Sequence, residues 1–358
     1  MLHVLSPGMP GRPGSLGRTS DAMNETTMID RSLPLVDLHR HLDGCVRLET
    51  ILDLGRRHAL PLPAWDVEGL RPHTQVSGRQ PGVMEFITKF RWMTGVMVDL
   101  DAVRRIAREN VEDARREGLD HVELRFSPWF MAEPHGLDPA GVVEAVADGV
   151  ATAARDLGQR VGLIGILSRT YGPVVASREL DALLAHRDRL VAVDLAGDEA
   201  AFPGGLFVEH FRRVRDAGLH VTIHAGEADG AHSVRQAVEQ LGAERIGHAV
   251  RAVDDPALLD LMAARGVAIE ANLTSNVQTS TVTDYASHPL RRFLERGLLA
   301  TINTDDPGIS GITLVHEYET AAPAAGLTPA QIRQAQRNAV EASFLDPGER
   351  RALLDRAT

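Results

Sequence analysis

The chain has 358 residues, 44% of them hydrophobic, which is enough to build a sizeable core. Its net charge of −11 argues against a nucleic-acid-binding surface, and no apolar stretch approaches the ~20 residues of a membrane span. The one cysteine, Cys45, rules out an intramolecular disulfide and suits a reducing cytoplasm. Residues 1–30 are rich in Pro, Gly, Ser and Arg and lack the apolar segment of a signal peptide, so they read as a disordered extension. Residues 31–358 read as a single domain. Strands are predicted over 35–39, 121–126, 161–167, 191–195, 220–224, 245–248, 267–271 and 299–303. Amphipathic helices are predicted over 100–117, 140–157, 178–187, 206–217, 232–241, 255–265 and 288–296, several closed by glycines such as Gly118, Gly158 and Gly266. Lys89 is the only lysine and lies in a helical pattern, which leaves little room for Schiff-base chemistry.

Eight strands alternating with helices predict an α/β chain folded as a (β/α)₈ TIM-type barrel. An open doubly wound sheet has less support, because no GxGxxG follows the first strand. The segment 44–99 is too long for one crossover. It is expected to carry extra helices that cap the C-terminal mouth, with 82–98 as the best candidate, and residues 310–356 are expected to hold about three more.

In such barrels chemistry gathers where strands end, and the strand ends here are unusually polar. His39 and His41 are two residues apart, so in a strand they share a face. His224 ends the fifth strand, His248 the sixth, and Asp305 and Asp306 follow the eighth. Each is weak evidence alone: a histidine at a strand end is more often structural, and Asp-Asp-Pro-Gly reads as a turn. Together, His39, His41, His224 and Asp305 form a nitrogen and oxygen set for one Zn²⁺, with a position left for water. Glu227 is then a candidate proton donor if burial raises its pKa. His248 could take a proton from the attacking water or hold the hydroxide in place. Asp306 could share a hydrogen bond with a substrate, and Gly197 could let one approach the backbone closely.

The motifs LPLVDLHRHLDG (33–44), VELRFSP (122–128), DLAGDE (194–199), HAGE (224–227), RIGH (245–248), LTSN (273–276) and INTDDPG (302–308), in this order, resemble those of the adenosine deaminase family. The resemblance implies a (β/α)₈ barrel with one Zn²⁺. It also implies hydrolytic deamination of adenosine and 2′-deoxyadenosine to inosine and 2′-deoxyinosine, with release of ammonia in purine salvage. It matches His39, His41, His224 and Asp305 to the zinc ligands, Glu227 to the residue that protonates purine N1, and His248 to the residue that assists the hydroxide. It matches Asp306 to the aspartate facing N7, Gly197 to the glycine whose N–H meets N3, and Asp43 to the carboxylate near the ribose 5′-hydroxyl. The expected substrate-binding set is therefore His41, Asp43, Gly197 and Asp306, with a purine nucleoside as the partner. The HLDG motif favours a nucleoside over a free base, since adenine deaminases of this superfamily tend to have HLEG. Two positions depart from the family pattern: Ala249 stands where glycine often follows the histidine, and Arg91 where an acidic residue often follows the lid pair. Deamination of another amino-purine, such as adenine or a modified adenosine, is the alternative reading. A non-catalytic nucleoside-binding barrel is the other.

Overall fold

The computed structural model describes residues 27–355. Eight strands pair in parallel in the order β1 to β8: β1 (Val36–His41), β2 (His121–Phe126), β3 (Arg160–Ser168), β4 (Ala192–Ala196), β5 (His220–Ala225), β6 (Arg245–His248), β7 (Ala268–Ala271) and β8 (Ala300–Ile302). Just past β8, Asp305 joins the sheet's two edges. Its N–H donates to the His39 carbonyl at 2.7 Å and its carbonyl accepts from the His41 N–H at 2.8 Å. The predicted strands all form, with shifts of one or two residues at their ends. β1 runs on to His41, so both histidines lie in the strand and face one side.

Strand alternation separates two environments. Val36 and Leu38 pack outward with Ala339 and Val340 of the helix Pro329–Ala342. Glu123, Arg125, Asp194, Thr222, Arg245 and Glu270 are all buried and joined by hydrogen bonds and ion pairs, so the centre of the barrel is a charged network. Arg245 donates to Glu123 at 2.5 Å and Arg125 to Glu270 at 2.8 Å. This pairing matters because breaking a buried pair costs about 3–5 kcal/mol.

The helices follow their predicted order. The helix expected from 178 begins at Gly172, with Pro173 in its first turn, where a missing N–H costs nothing. The capping helix expected over 82–98 forms as one continuous right-handed run from Val83 to Thr94, with a 3-10 stretch over Thr88–Phe90, and stops four residues short of the expected end. The Thr88 hydroxyl bonds back to the Glu85 carbonyl at the start of the 3-10 stretch, and the Thr94 hydroxyl to the Phe90 carbonyl in the last turn. Three helical segments follow residue 313, within 314–324, 329–342 and 347–355.

Residues 1–26 of the expected extension lie outside the described residues. Its last part, Thr27–Asp30, is hydrogen-bonded to the barrel: the Met28 and Ile29 N–H groups donate to Glu319, and that of Asp30 to Gln336. Among the described residues no helix is long and apolar enough to cross a membrane.

Candidate active site

His39 and His41 from β1, His224 from β5 and Asp305 after β8 converge at the mouth, with one ligand atom from each within 4.8 Å of all the others. Second partners fix two of the imidazoles. His39 Nδ1 lies 2.7 Å from Glu270, and His224 Nδ1 2.9 Å from Asp194. A carboxylate at Nδ1 keeps the proton there and leaves Nε2 with a bare lone pair. His39 Nε2 is fully buried with no hydrogen-bond partner, 3.0 Å from Asp305 Oδ1. His41 Nε2 lies 3.3 Å from both Asp305 Oδ1 and His224 Nε2. Bare imidazole nitrogens crowded against a carboxylate repel one another unless a cation sits between them, so the donor set fits a divalent metal of the zinc type.

Arg125 binds the two outer carboxylates together. Its guanidinium donates to Asp194, to Glu270 and to the Leu38 carbonyl, each at 2.8 Å. Burial opposes charge on both carboxylates. His224 and Arg125 outweigh it at Asp194, and Arg125 and Arg245 at Glu270, so both stay below the usual carboxylate range. Gly247 leaves space for this arrangement, since a Cβ there would stand 2.9 Å from the His39 ring.

Around these four donors lie the other expected residues. His41, Asp43, Gly197, His224, Glu227, His248, Asp305 and Asp306 line one cavity, which encloses about 800 Å³ including the open mouth. Its outer wall is apolar, with Phe86, Ile87, Phe90 and Phe130. Burial pushes the Glu227 carboxyl up to about 8, helped by the negative charges of Asp305 and Glu199. Glu227 Oε2 lies 3.6 Å from His248 Nε2. Burial, with Asp305, Asp43 and Glu227 nearby, also raises Asp306 well above the ordinary carboxyl range, against the pull of His41. Asp306 Oδ1 and Asp43 Oδ1 are buried without hydrogen-bond partners and line the cavity. The first suits an acceptor on a ligand when it carries a proton, which burial favours, and the second suits a hydroxyl. Gly197 has φ +111, and a Cβ there would meet the Thr170 hydroxyl at 2.4 Å, so its place as glycine follows from its own neighbours as well as from any ligand.

Three site residues are strained: His248, Ala249 and Asp305 have φ of +66, +54 and +63. Such left-handed residues without glycine's freedom cluster at functional sites. The backbone at Ala249 is thus the kind glycine adopts most easily. Arg91 stands away from the central cavity. Its guanidinium lies 5.2 Å from the Trp92 ring centre, beside a neighbouring cavity.

One carboxylate escaped the sequence reading. Glu199 is 3% exposed and accepts four backbone N–H bonds, from Gly226 (2.6 Å), Glu227 (3.1 Å), Ala228 (2.8 Å) and Asp229 (3.1 Å), and one from the Ser233 hydroxyl. It holds the turn that carries Glu227. Its partners are main-chain groups, which no residue pattern announces. Asp194 and Glu270 did leave a signal, as single charges inside the apolar runs VAVDLA and VAIEA.

The model of a family described as adenosine deaminase matches residues 34–358. The adenosine deaminase of Serratia proteamaculans is 57% identical over 329 residues, covering 92% of this chain and 99% of the relative. Among solved structures, the adenine deaminase of Arthrobacter aurescens superposes with a TM-score of 0.84 at 27% identity, covering 91% of this chain and 98% of that one. An amidohydrolase from Burkholderia ambifaria with bound Zn superposes with a TM-score of 0.81 at 27% identity, covering 91% of this chain and 92% of that one.

Proposed function

The chain belongs to the adenosine deaminase family of hydrolases, and from that premise we propose that it converts adenosine and 2′-deoxyadenosine to inosine and 2′-deoxyinosine with one zinc ion, in cytoplasmic purine salvage. The observation that carries this reading is the convergence of four metal-competent donors with a buried Glu227, whose carboxyl burial pushes up, in one cavity. The 57% identity to an adenosine deaminase supports the nucleoside over the free base. We take residues 31–358 as the single hydrolase domain.

His39, His41, His224 and Asp305 would hold the metal. When bound, zinc lowers the pKa of its water toward about 7, so that a nucleophile is available at neutral pH. The reaction replaces the C6 amino group with oxygen from water and releases ammonia. Glu227 delivers a proton to N1, which prevents negative charge from building on the ring as C6 is attacked. Protonated Asp306 donates to N7. The Gly197 N–H meets N3, and Asp43 accepts from the ribose 5′-hydroxyl while the Ser127 N–H, 3.1 Å from its other oxygen, holds it in place. His248 assists the attacking oxygen. The phenylalanines of the outer wall exclude bulk water, which strengthens each polar contact inside.

The purified protein is expected to deaminate adenosine and 2′-deoxyadenosine with kcat/KM at least about 10²-fold above that for adenine, since a buried polar group left unpaired by a missing partner costs a few kcal/mol. Absorbance assays across a panel of nucleosides, adenine and N6- and 5′-modified adenosines check this, with zinc quantified in the same sample. Preference for adenine or a modified nucleoside would establish the alternative substrate, and no turnover by zinc-loaded protein would point to a binding role.

Glu199→Gln is expected to lower kcat about 10²-fold with zinc content unchanged. Glutamine offers one acceptor oxygen and turns an NH₂ group against backbone donors, so the turn shifts, and a displacement of about 1 Å costs this much. Steady-state kinetics with metal analysis tests it.

A further inference from the structure

His248 sits between two possible roles: a base that takes a proton at Nε2, or a donor that holds the attacking oxygen through an Nε2–H. The difference is one of tautomer, and the structure contains a chain of hydrogen bonds that selects it. The chain starts from a group whose polarity is fixed. The backbone N–H of Leu290 can only donate, and it lies 3.1 Å from His288 Nδ1. That nitrogen is therefore the bare acceptor, and a neutral His288 carries its proton on Nε2. His288 is 4% exposed, and burial pulls its pKa down to about 3, with His248 contributing, so it stays neutral.

His288 Nε2 lies 3.1 Å from Asn276 Oδ1, which must accept. The opposite amide orientation would set the Asn276 NH₂ against an N–H donor. With its oxygen thus committed, Asn276 turns its NH₂ toward His248 Nδ1 at 2.8 Å. An NH₂ group can only donate, so His248 Nδ1 is an acceptor as well. The Asn272 amide nitrogen stands 3.3 Å from Nδ1 and 3.5 Å from Nε2, so it does not choose between them, and the polarity is set by Asn276. Asn276 and Asn272 are both fully buried, so no water competes for these positions. Nε2 is the nitrogen that faces the chemistry, 3.6 Å from Glu227 and 3.9 Å from Asp305 Oδ2.

We propose that His288 and Asn276 are positioning residues that lock His248 as the Nε2–H tautomer, so that His248 donates a hydrogen bond to the oxygen attacking C6. The inference rests on the reading of His248 as the residue that assists this oxygen, and it decides between the two forms of that assistance. A tautomer held by buried neighbours is ready before substrate arrives and needs no reorganisation during the reaction.

The test is ¹⁵N NMR of the zinc-loaded protein carrying imidazole-labelled histidine, with His248→Gln as the assignment control. The expected spectrum shows His248 with a proton-bearing Nε2 and a bare Nδ1. A proton on Nδ1 overturns the proposal. Asn276→Asp is the decisive variant, because a carboxylate only accepts. It takes the His288 Nε2–H and a His248 Nδ1–H, and so reverses the His248 tautomer. The expected result is the reversed spectrum with kcat lowered by about 10²-fold or more and KM for adenosine within about threefold. A reversed tautomer at unchanged kcat overturns the proposal. His288→Gln keeps a donor beside Asn276 Oδ1 and is expected to keep both the parental tautomer and kcat within about threefold; loss of the Nε2–H form there also overturns it. Should Asn276→Asp fail to fold, the parental spectrum and His288→Gln still decide. Should His248→Ala deaminate adenosine at the parental rate, the role read for His248 falls, while the tautomer result stands independently.

Discussion

Glu227→Gln is expected to lower kcat for adenosine by about 10²- to 10⁴-fold, the usual contribution of a positioned general acid, equivalent to about 3–5 kcal/mol of barrier. Glutamine keeps the size and one acceptor oxygen but has no proton to give N1. KM and zinc content are expected to stay near the parental values, because Glu227 is outside the metal's donor set. The parental pH profile carries the same information. Burial raises the carboxyl to about 8, so the active acid form is present below that pH and is lost as pH rises through it. The rate therefore falls on the alkaline side, and this limb disappears in the variant. Kinetics from pH 6 to about 10 check both points. A Glu227→Gln enzyme with parental kcat would remove Glu227 from the mechanism.

His224→Ala is expected to abolish stoichiometric zinc binding, and with it activity. It removes one of four donors and leaves Asp194, which accepts from the His224 ring, without that partner in a closed interior. Asp194→Asn provides the graded comparison. The imidazole remains but its Nδ1–H loses a charged acceptor, and outer partners of this kind are worth about 10- to 100-fold in metal affinity. Chelator competition on purified protein is expected to order the affinities as parent, then Asp194→Asn, then His224→Ala. Equal zinc affinity in parent and His224→Ala would remove His224 from the ligand set, and two tightly bound ions per parental chain would end the single-zinc reading.

Much of this protein was legible in its residue order, for a local reason. Strand and helix periods, glycine closures and polar strand ends are properties of short segments, and a parallel barrel carries the ends of all its strands to one mouth. The four donors, Glu227, His248 and Asp306 could therefore be named before any coordinates, whereas Asp43 could be named only through the family resemblance. The lid was harder to read. Its apolar spacing suggests one helix over 82–98, and the helical run is continuous only over 83–94, tightened to 3-10 at Thr88–Phe90, where the Thr88 hydroxyl bonds the Glu85 carbonyl.

What pattern could not supply is the set of contacts between distant segments. Asp305 closes the barrel through its own backbone in a left-handed conformation, so one residue is at once a seam of the sheet and one of the four donors able to hold a metal. Arg125 joins the carboxylates behind two imidazoles, and Glu199 gathers main-chain donors around the turn of Glu227. The proton on His248 depends on a backbone N–H at Leu290, relayed through His288 and Asn276. Residue type sets which chemistry each group can perform. Protonation state, tautomer and orientation follow from burial and from partners that meet only when the chain is folded.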